Sequence, residues 1–144
     1  LLNQNSNYSE INLSKYVKEL VNEFRVSFPQ FNHCVNTRIN TYDFYLSSKR
    51  TLNLGLIITE ILLNSIKHAS STANYELMVE LIDVNDHHMV LTIGDNGPGF
   101  EFEKESKKGS LGLSLIVDLC DSIEAEVKYP TLKKAYYPFV FKHN

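Results

Sequence analysis

One ten-residue stretch sets four polar side chains of different chemistry into a strongly apolar segment: Glu60-Ile61-Leu62-Leu63-Asn64-Ser65-Ile66-Lys67-His68-Ala69. At about 100° per residue, Glu60, Asn64, Lys67 and His68 fall within about 100° of one another on an α-helix. The rest of the circumference is Leu56, Ile57, Ile58, Ile61, Leu62, Leu63 and Ile66, which implies a mostly buried helix. Buried polar groups are costly without partners, so four on one sector suggest the floor of a cleft that meets a polar ligand. Taken alone, a Glu60 and Asn64 pair more often satisfies local structure. Two later stretches shift that balance. Gly94-Asp95-Asn96-Gly97-Pro98-Gly99 follows a strand-like run and reads as a glycine-permitted turn carrying one acidic acceptor. Lys107-Lys108-Gly109-Ser110-Leu111-Gly112-Leu113 opens a second helix, where free backbone amides and the helix dipole favour an anion.

Periodicity predicts the elements that must position these groups. Residues 1–10 are polar and expected to be loose, and residues 11–144 are expected to form a single domain. Leu13, Val17, Leu20, Val21, Phe24 and Phe28 recur at helical spacing, with Asn12 or Ser14 as N-cap and Pro29 as the stop. Val35, Thr37 and Ile39 alternate as a strand, expected to pair with a short one around Asp43 to Leu46. The central helix should run from about Leu52 to Ala69, ending in the polar Ser70-Ser71-Thr72. Tyr75, Leu77, Val79 and Leu81 alternate, a turn follows at Asp83 to Asp86, and His88 to Ile93 returns as the second arm of a hairpin. From Asn96 to Lys108 the chain carries both signs of charge and reads as a short mobile loop over the cleft, a lid. A third helix from Gly112 to about Ser122 precedes strands near Ala125 to Tyr129 and Tyr136 to Lys142. The order predicts a two-layer α/β sandwich: a mixed, mostly antiparallel sheet with about three helices on one face.

The totals exclude several classes. With 144 residues the chain fits one domain with a substantial core. A net charge of −3 and scattered basic residues give no nucleic-acid surface. No apolar run reaches the length of a membrane span, so no direct membrane contact is expected, and no secretory signal opens the chain. Cys34 and Cys120 form no CxxC pair and suit two reduced, partly buried thiols in a cytoplasmic protein. His87 and His88, adjacent on a strand, point to opposite faces and make a poor chelate. The absence of an initiator Met suggests a piece of a longer protein, whose own anchoring in a membrane is left open.

Three motifs in this order resemble the ATP-binding domain shared by histidine kinases, gyrase, heat-shock chaperones and mismatch-repair ATPases, the GHKL superfamily or Bergerat fold. Glu60-xxx-Asn64-xx-Lys67-His68-Ala69 looks like the N box, Asp95-Asn96-Gly97-Pro98-Gly99 like the first glycine box, and Gly109-Ser110-Leu111-Gly112-Leu113 like the second. The Leu54-Gly55-Leu56-Ile57 lead-in and the short lid are closest to bacterial sensor histidine kinases of the short-lid subfamily. A Walker-type G-x-x-x-x-G-K-S/T loop is absent.

The resemblance implies that Asp95 accepts from the exocyclic amine of adenine, as suits a group that accepts and cannot donate. It implies that Gly97 and Gly99 let the backbone turn beside the base, and that Asn64 ligates Mg²⁺. Glu60 would orient or deprotonate the nucleophile, Lys67 and His68 would lie near the phosphates, and the Gly109, Ser110, Leu111 and Gly112 backbone would wrap them. The cofactors are then ATP and Mg²⁺, and the activity is transfer of the γ-phosphoryl group to a histidine. That histidine sits on a separate dimerisation and phosphoacceptor domain, since His33, His68, His87, His88 and His143 are all in the wrong context. A response regulator would be the indirect partner in two-component signalling. The same resemblance leaves two alternatives: a serine kinase of the anti-sigma-factor type, and a degenerate pseudokinase acting as an interaction module. The pattern also departs from the family. Ser110 replaces a glycine, the usual glycine pair is missing near Ile123-Glu124-Ala125, and no Gly-Thr precedes the last strand.

Overall fold

The side chain of Asn12 accepts a hydrogen bond from the Lys15 amide (3.1 Å) and caps helix α1, Leu13–Ser27. The structure is a computed structural model that describes residues 10–40, 43–67, 74–108, 111–132 and 134–142, with the backbone alone for Leu111. Most of the loose segment expected at residues 1–10 lies outside these, although Glu10 already begins a strand. Leu13, Val17, Val21 and Phe24 bury one stripe of α1. Phe28 leaves helical geometry before Pro29, as the residue preceding a proline must, and a 3₁₀ turn spans Pro29–Cys34.

Strand β1 (Glu10–Asn12) pairs antiparallel with β3 (Tyr45–Ser47) in a two-stranded ribbon. This corrects the expected hairpin, because β2 (Val35–Asn40) instead runs parallel to β4 (Leu77–Asn85). Adjacency in sequence argues for a hairpin. Here the Leu13 amide donates to the Phe44 carbonyl (2.8 Å), holding the approach to β3 beside the start of α1. The main sheet also contains β5 (His88–Asp95), β6 (Glu126–Val127) and β7 (Tyr136–Lys142), in the order β2-β4-β5-β7-β6. Every neighbour pair except β2–β4 is antiparallel. Alternate residues of the central strands, among them Val79, Leu91 and Phe139, are fully buried.

Helix α2 spans Ser48–Lys67 and starts earlier than its apolar periodicity. Ser47 provides the reason: its hydroxyl accepts from the Arg50 amide (3.2 Å), and its carbonyl accepts from the Thr51 hydroxyl (2.8 Å). Leu54, Ile57, Ile58, Ile61 and Leu62 enter the core, whereas Leu56, expected to be buried, is 45% exposed. The expected charged loop contains a helix, α3 (Phe102–Ser106), whose single turn is too short to give a periodic signal. Phe102 anchors it, stacking on Tyr129 at 4.3 Å. Helix α4 spans Leu111–Cys120, continues as a 3₁₀ turn at Asp121–Ile123, and lies along α2. The sheet on one side and these helices on the other make the expected two-layer α/β sandwich. Cys34 and Cys120 are both free thiols, and no helix among the described residues is long and apolar enough to cross a membrane.

The chain leaves α4 through Glu124, which adopts φ 55°, a left-handed conformation that glycine takes without steric cost. This is where the glycine pair is missing. Arg50 braces the turn, donating from Nε and Nη2 to the Ile123 carbonyl at 2.9 and 2.7 Å. Its Nε also stands 3.6 Å from the exposed Glu124 carboxylate. Relief of the strain outweighs loss of an exposed ion pair, so Glu124→Gly should stabilise the fold by about 0.5–1 kcal/mol. Urea unfolding checks this through a higher midpoint at unchanged slope.

Candidate nucleotide site

Asp95 ends β5, and its backbone amide donates to the Ala135 carbonyl of the neighbouring segment (3.1 Å). Just before it, Gly94 lies so close to β7 that a β-carbon there would stand 2.2 Å from that carbonyl. Both carboxylate oxygens of Asp95 are aimed. Oδ1 accepts from the Gly97 amide at 2.7 Å, closing the turn, and Oδ2 accepts from the Tyr75 hydroxyl at 3.4 Å. Ser65 on α2 lies beside the Tyr75 phenol and partly offsets the upward shift of its pKa, which places α2 next to the acidic turn.

Asn96 locks the other side of this turn. Its side-chain oxygen accepts from the Glu76 amide, and its side-chain nitrogen donates to the Asn74 carbonyl, both at 2.9 Å. Gly99 takes φ +81°, and a β-carbon on it would stand 2.1 Å from the Thr131 carbonyl, so the residue packs directly under the 131–134 turn. Glycine is required there on both counts.

On α2, Glu60 and Asn64 are half-buried and Lys67 is exposed in the last turn. A β-carbon on Gly112 would stand 2.7 Å from Glu60 Oε2, so the carboxylate lies over the first turn of α4. That contact brings the first and third motifs together. No hydrogen bond engages the Glu60 or Asn64 side chain among the described residues. His68, Gly109 and Ser110 lie outside the described residues, and Leu111 contributes only the first residue of α4. His87 is exposed at the β4–β5 turn, and His88 Nδ1 lies 3.1 Å from Asn85 Oδ1. The motifs do not single out Tyr75 or Ser65. The alternating pattern makes Tyr75 a strand residue, although β4 begins only at Leu77, and no spacing rule marks a buried serine beside Asn64.

A family model described as the histidine kinase-like ATPase domain matches residues 35–132. The chain belongs to that family. The matched span of this ATPase domain contains all three motifs. The sensor histidine kinase ComP of Bacillus subtilis (strain 168) is 31% identical over 123 residues, covering 85% of this chain and 15% of that protein. The domain therefore spans a small part of that relative.

Two solved structures share its fold. The histidine kinase domain of the blue-light activated histidine kinase from Erythrobacter litoralis EL346 superposes with a TM-score of 0.72 at 16% identity, over 91% of this chain and 65% of that one. The catalytic domain of the histidine kinase ThkA gives 0.68 at 14% identity, over 93% and 95%.

The polar chain of the ATPase domain has a titration consequence. Burial first, and then the Asp95 carboxylate, push the Tyr75 phenol well above its ordinary range. Burial likewise leads the upward shifts of Tyr129 and Tyr137. The unfolded chain would ionise these phenols near pH 10. Their contribution is thus fully present below about pH 10 and lost as pH rises, because the unfolded state sheds protons first. Denaturant unfolding from about pH 8 to 11 should show stability falling only above about 10. Tyr75→Phe should lower stability by about 1 kcal/mol at neutral pH and make the alkaline fall shallower.

Proposed function

We propose that this chain is the ATP-binding catalytic domain of a sensor histidine kinase, working in the cytoplasm and transferring the γ-phosphoryl group of ATP to a histidine on a separate dimerisation domain. The observations that carry the reading are the Asp95 carboxylate, held by Gly97 and Tyr75, and the Glu60 carboxylate, which lies against the start of α4. Asp95 takes the exocyclic amine of adenine, and the Gly97 and Gly99 turn lies beside the base. The first turn of α4, with the Gly109-Ser110-Leu111-Gly112 backbone, takes the polyphosphate through free amides and the helix dipole. Lys67 and His68 lie at the phosphate end.

The donor set suits Mg²⁺. Among the described residues no three His, Cys, Asp or Glu side chains converge into a metal cage. A divalent ion held by one protein oxygen, that of Asn64, with the remainder from phosphates and water, matches the preference of Mg²⁺. When bound, the ion supplies charge neutralisation on the phosphate oxygens. Glu60 holds or removes the proton of the attacking imidazole nitrogen. Catalysis beyond that is positioning, with the lid segment around α3 keeping water from the transferred group. The acceptor histidine belongs to a dimerising helical hairpin, and a response regulator takes the phosphoryl group from it.

The test supplies such a hairpin in trans with γ-labelled ATP. Label should appear on the hairpin in an acid-labile, alkali-stable form, as a phosphoramidate requires. Glu60→Gln should slow transfer by roughly 10²–10⁴-fold while leaving ATP affinity nearly unchanged. Acid-stable label on a serine of a partner would instead support the anti-sigma-factor type of kinase. ATP binding without transfer to any acceptor would support the pseudokinase.

A further inference from the structure

Helix α2 has two apolar sides. Leu54, Ile57, Ile58, Ile61 and Leu62 fill the core, and one such stripe is all that a helix packed on a sheet requires. Leu52, Leu56, Thr59, Leu63 and Ile66 form a second line, at alternating steps of four and three residues. At about 100° per residue these five fall within about 80° of one another, on the side away from the core stripe. Leu52 is 63% exposed and Leu56 45%. Leu63 and Ile66 are half-buried. The Thr59 hydroxyl donates to the Gly55 carbonyl (2.8 Å), so the centre of the line makes no polar demand on a partner.

The neighbouring helices meet α2 on either flank of this line. On one flank α1 reaches Gly55, where a β-carbon would collide with the Tyr16 hydroxyl. On the other, Asn53 donates to Ser122 just past the end of α4 (2.9 Å), and Glu60 lies against Gly112. The leucines between those contacts are left as an outward ridge. Alternating steps of three and four residues are the pattern against which a second helix packs nearly parallel. The flanking charges narrow the partner further. Lys49 and Lys67 are exposed, lie on the Glu60 side of the ridge, and form no ion pair among the described residues. The ridge therefore fits an amphipathic helix whose apolar stripe is edged by acidic residues.

We propose that the Leu52, Leu56 and Leu63 ridge is the docking surface for the helix that carries the acceptor histidine, and that it sets the affinity and register of that helix. The inference rests on the reading of the chain as a histidine kinase domain. Glu60 lies one turn beyond Leu56 and about 40° around the helix from it. Packed helix axes run about 8–10 Å apart, a gap that an imidazole side chain on the docked helix spans toward Glu60. The leucines touch neither the nucleotide nor the transferred group. They are positioning residues.

The test supplies the acceptor hairpin in trans with Mg·ATP and varies the hairpin concentration. Leu52→Gln combined with Leu56→Gln places good helix formers at exposed positions, so the unfolding temperature should not fall. The KM for the hairpin should rise roughly tenfold, while kcat at saturating hairpin and the affinity for Mg·ATP stay within about twofold. Lys49→Glu should raise that KM about threefold at low salt and less at high salt. Val84→Gln, a like substitution at a 61% exposed position off the ridge, should leave it unchanged. An unchanged hairpin KM in the double variant, or an equal rise in Val84→Gln, overturns the inference while leaving the kinase reading intact. So does a wild-type domain that sediments as a dimer and becomes monomeric in the double variant, which would assign the ridge to a second copy. A wild type that neither binds Mg·ATP nor labels the hairpin overturns the kinase reading, and this inference with it.

Discussion

A carboxylate at the end of a central strand must be held still if it is to read a ligand, and most of this fold serves that constraint. Asp95 receives the Gly97 amide on one oxygen and the Tyr75 hydroxyl on the other. The strand that delivers it lies between β4 and β7, at the middle of the sheet, where its path is fixed from both sides. Gly94 allows β7 to approach closely, and Asn96 pins the turn to the segment leading into β4. A charged group fixed by two donors keeps acceptor capacity on its remaining lone pairs, so orientation and availability are achieved together.

The other half of the site depends on α2 and α4 crossing closely. Glu60 projects over Gly112, where a side chain would collide with the carboxylate. The glycine thus leaves room for the Glu60 carboxylate of one helix beside the start of the next. Arg50 fixes the far end of the same helix pair by holding the Ile123 carbonyl, and Asn53 donates to Ser122 at 2.9 Å. The two helices are therefore tied at the end remote from the site as well as at the site itself.

Sequence alone makes the family and the layered architecture legible because the signals are local. Glycine at fixed offsets, a polar sector on an apolar helix and strict alternation in β4 and β5 each reflect short-range physics. What stays hidden is long-range or idiosyncratic. The parallel partner of β2 is reached only after an intervening helix, so no local pattern names it. Helix α3 is hidden because one buried phenylalanine, rather than a periodic stripe, holds it. The left-handed Glu124 is invisible because the residue lacks the glycine that would mark the turn. Of the residues that the motifs name, Asp95 accepts from the Gly97 amide, and Glu60 lies against Gly112. Tyr75, which connects Asp95 to α2, is recognisable only once the register of β4 is known.

The central claim is that this cleft selects adenine through a fixed carboxylate. The most direct measurement is calorimetric titration of the wild-type domain with ATP and with GTP, each in the presence of Mg²⁺. The account predicts ATP binding in the micromolar to low-millimolar range, and GTP binding at least about tenfold weaker. Equal affinity for the two nucleotides, or binding of neither, would contradict it.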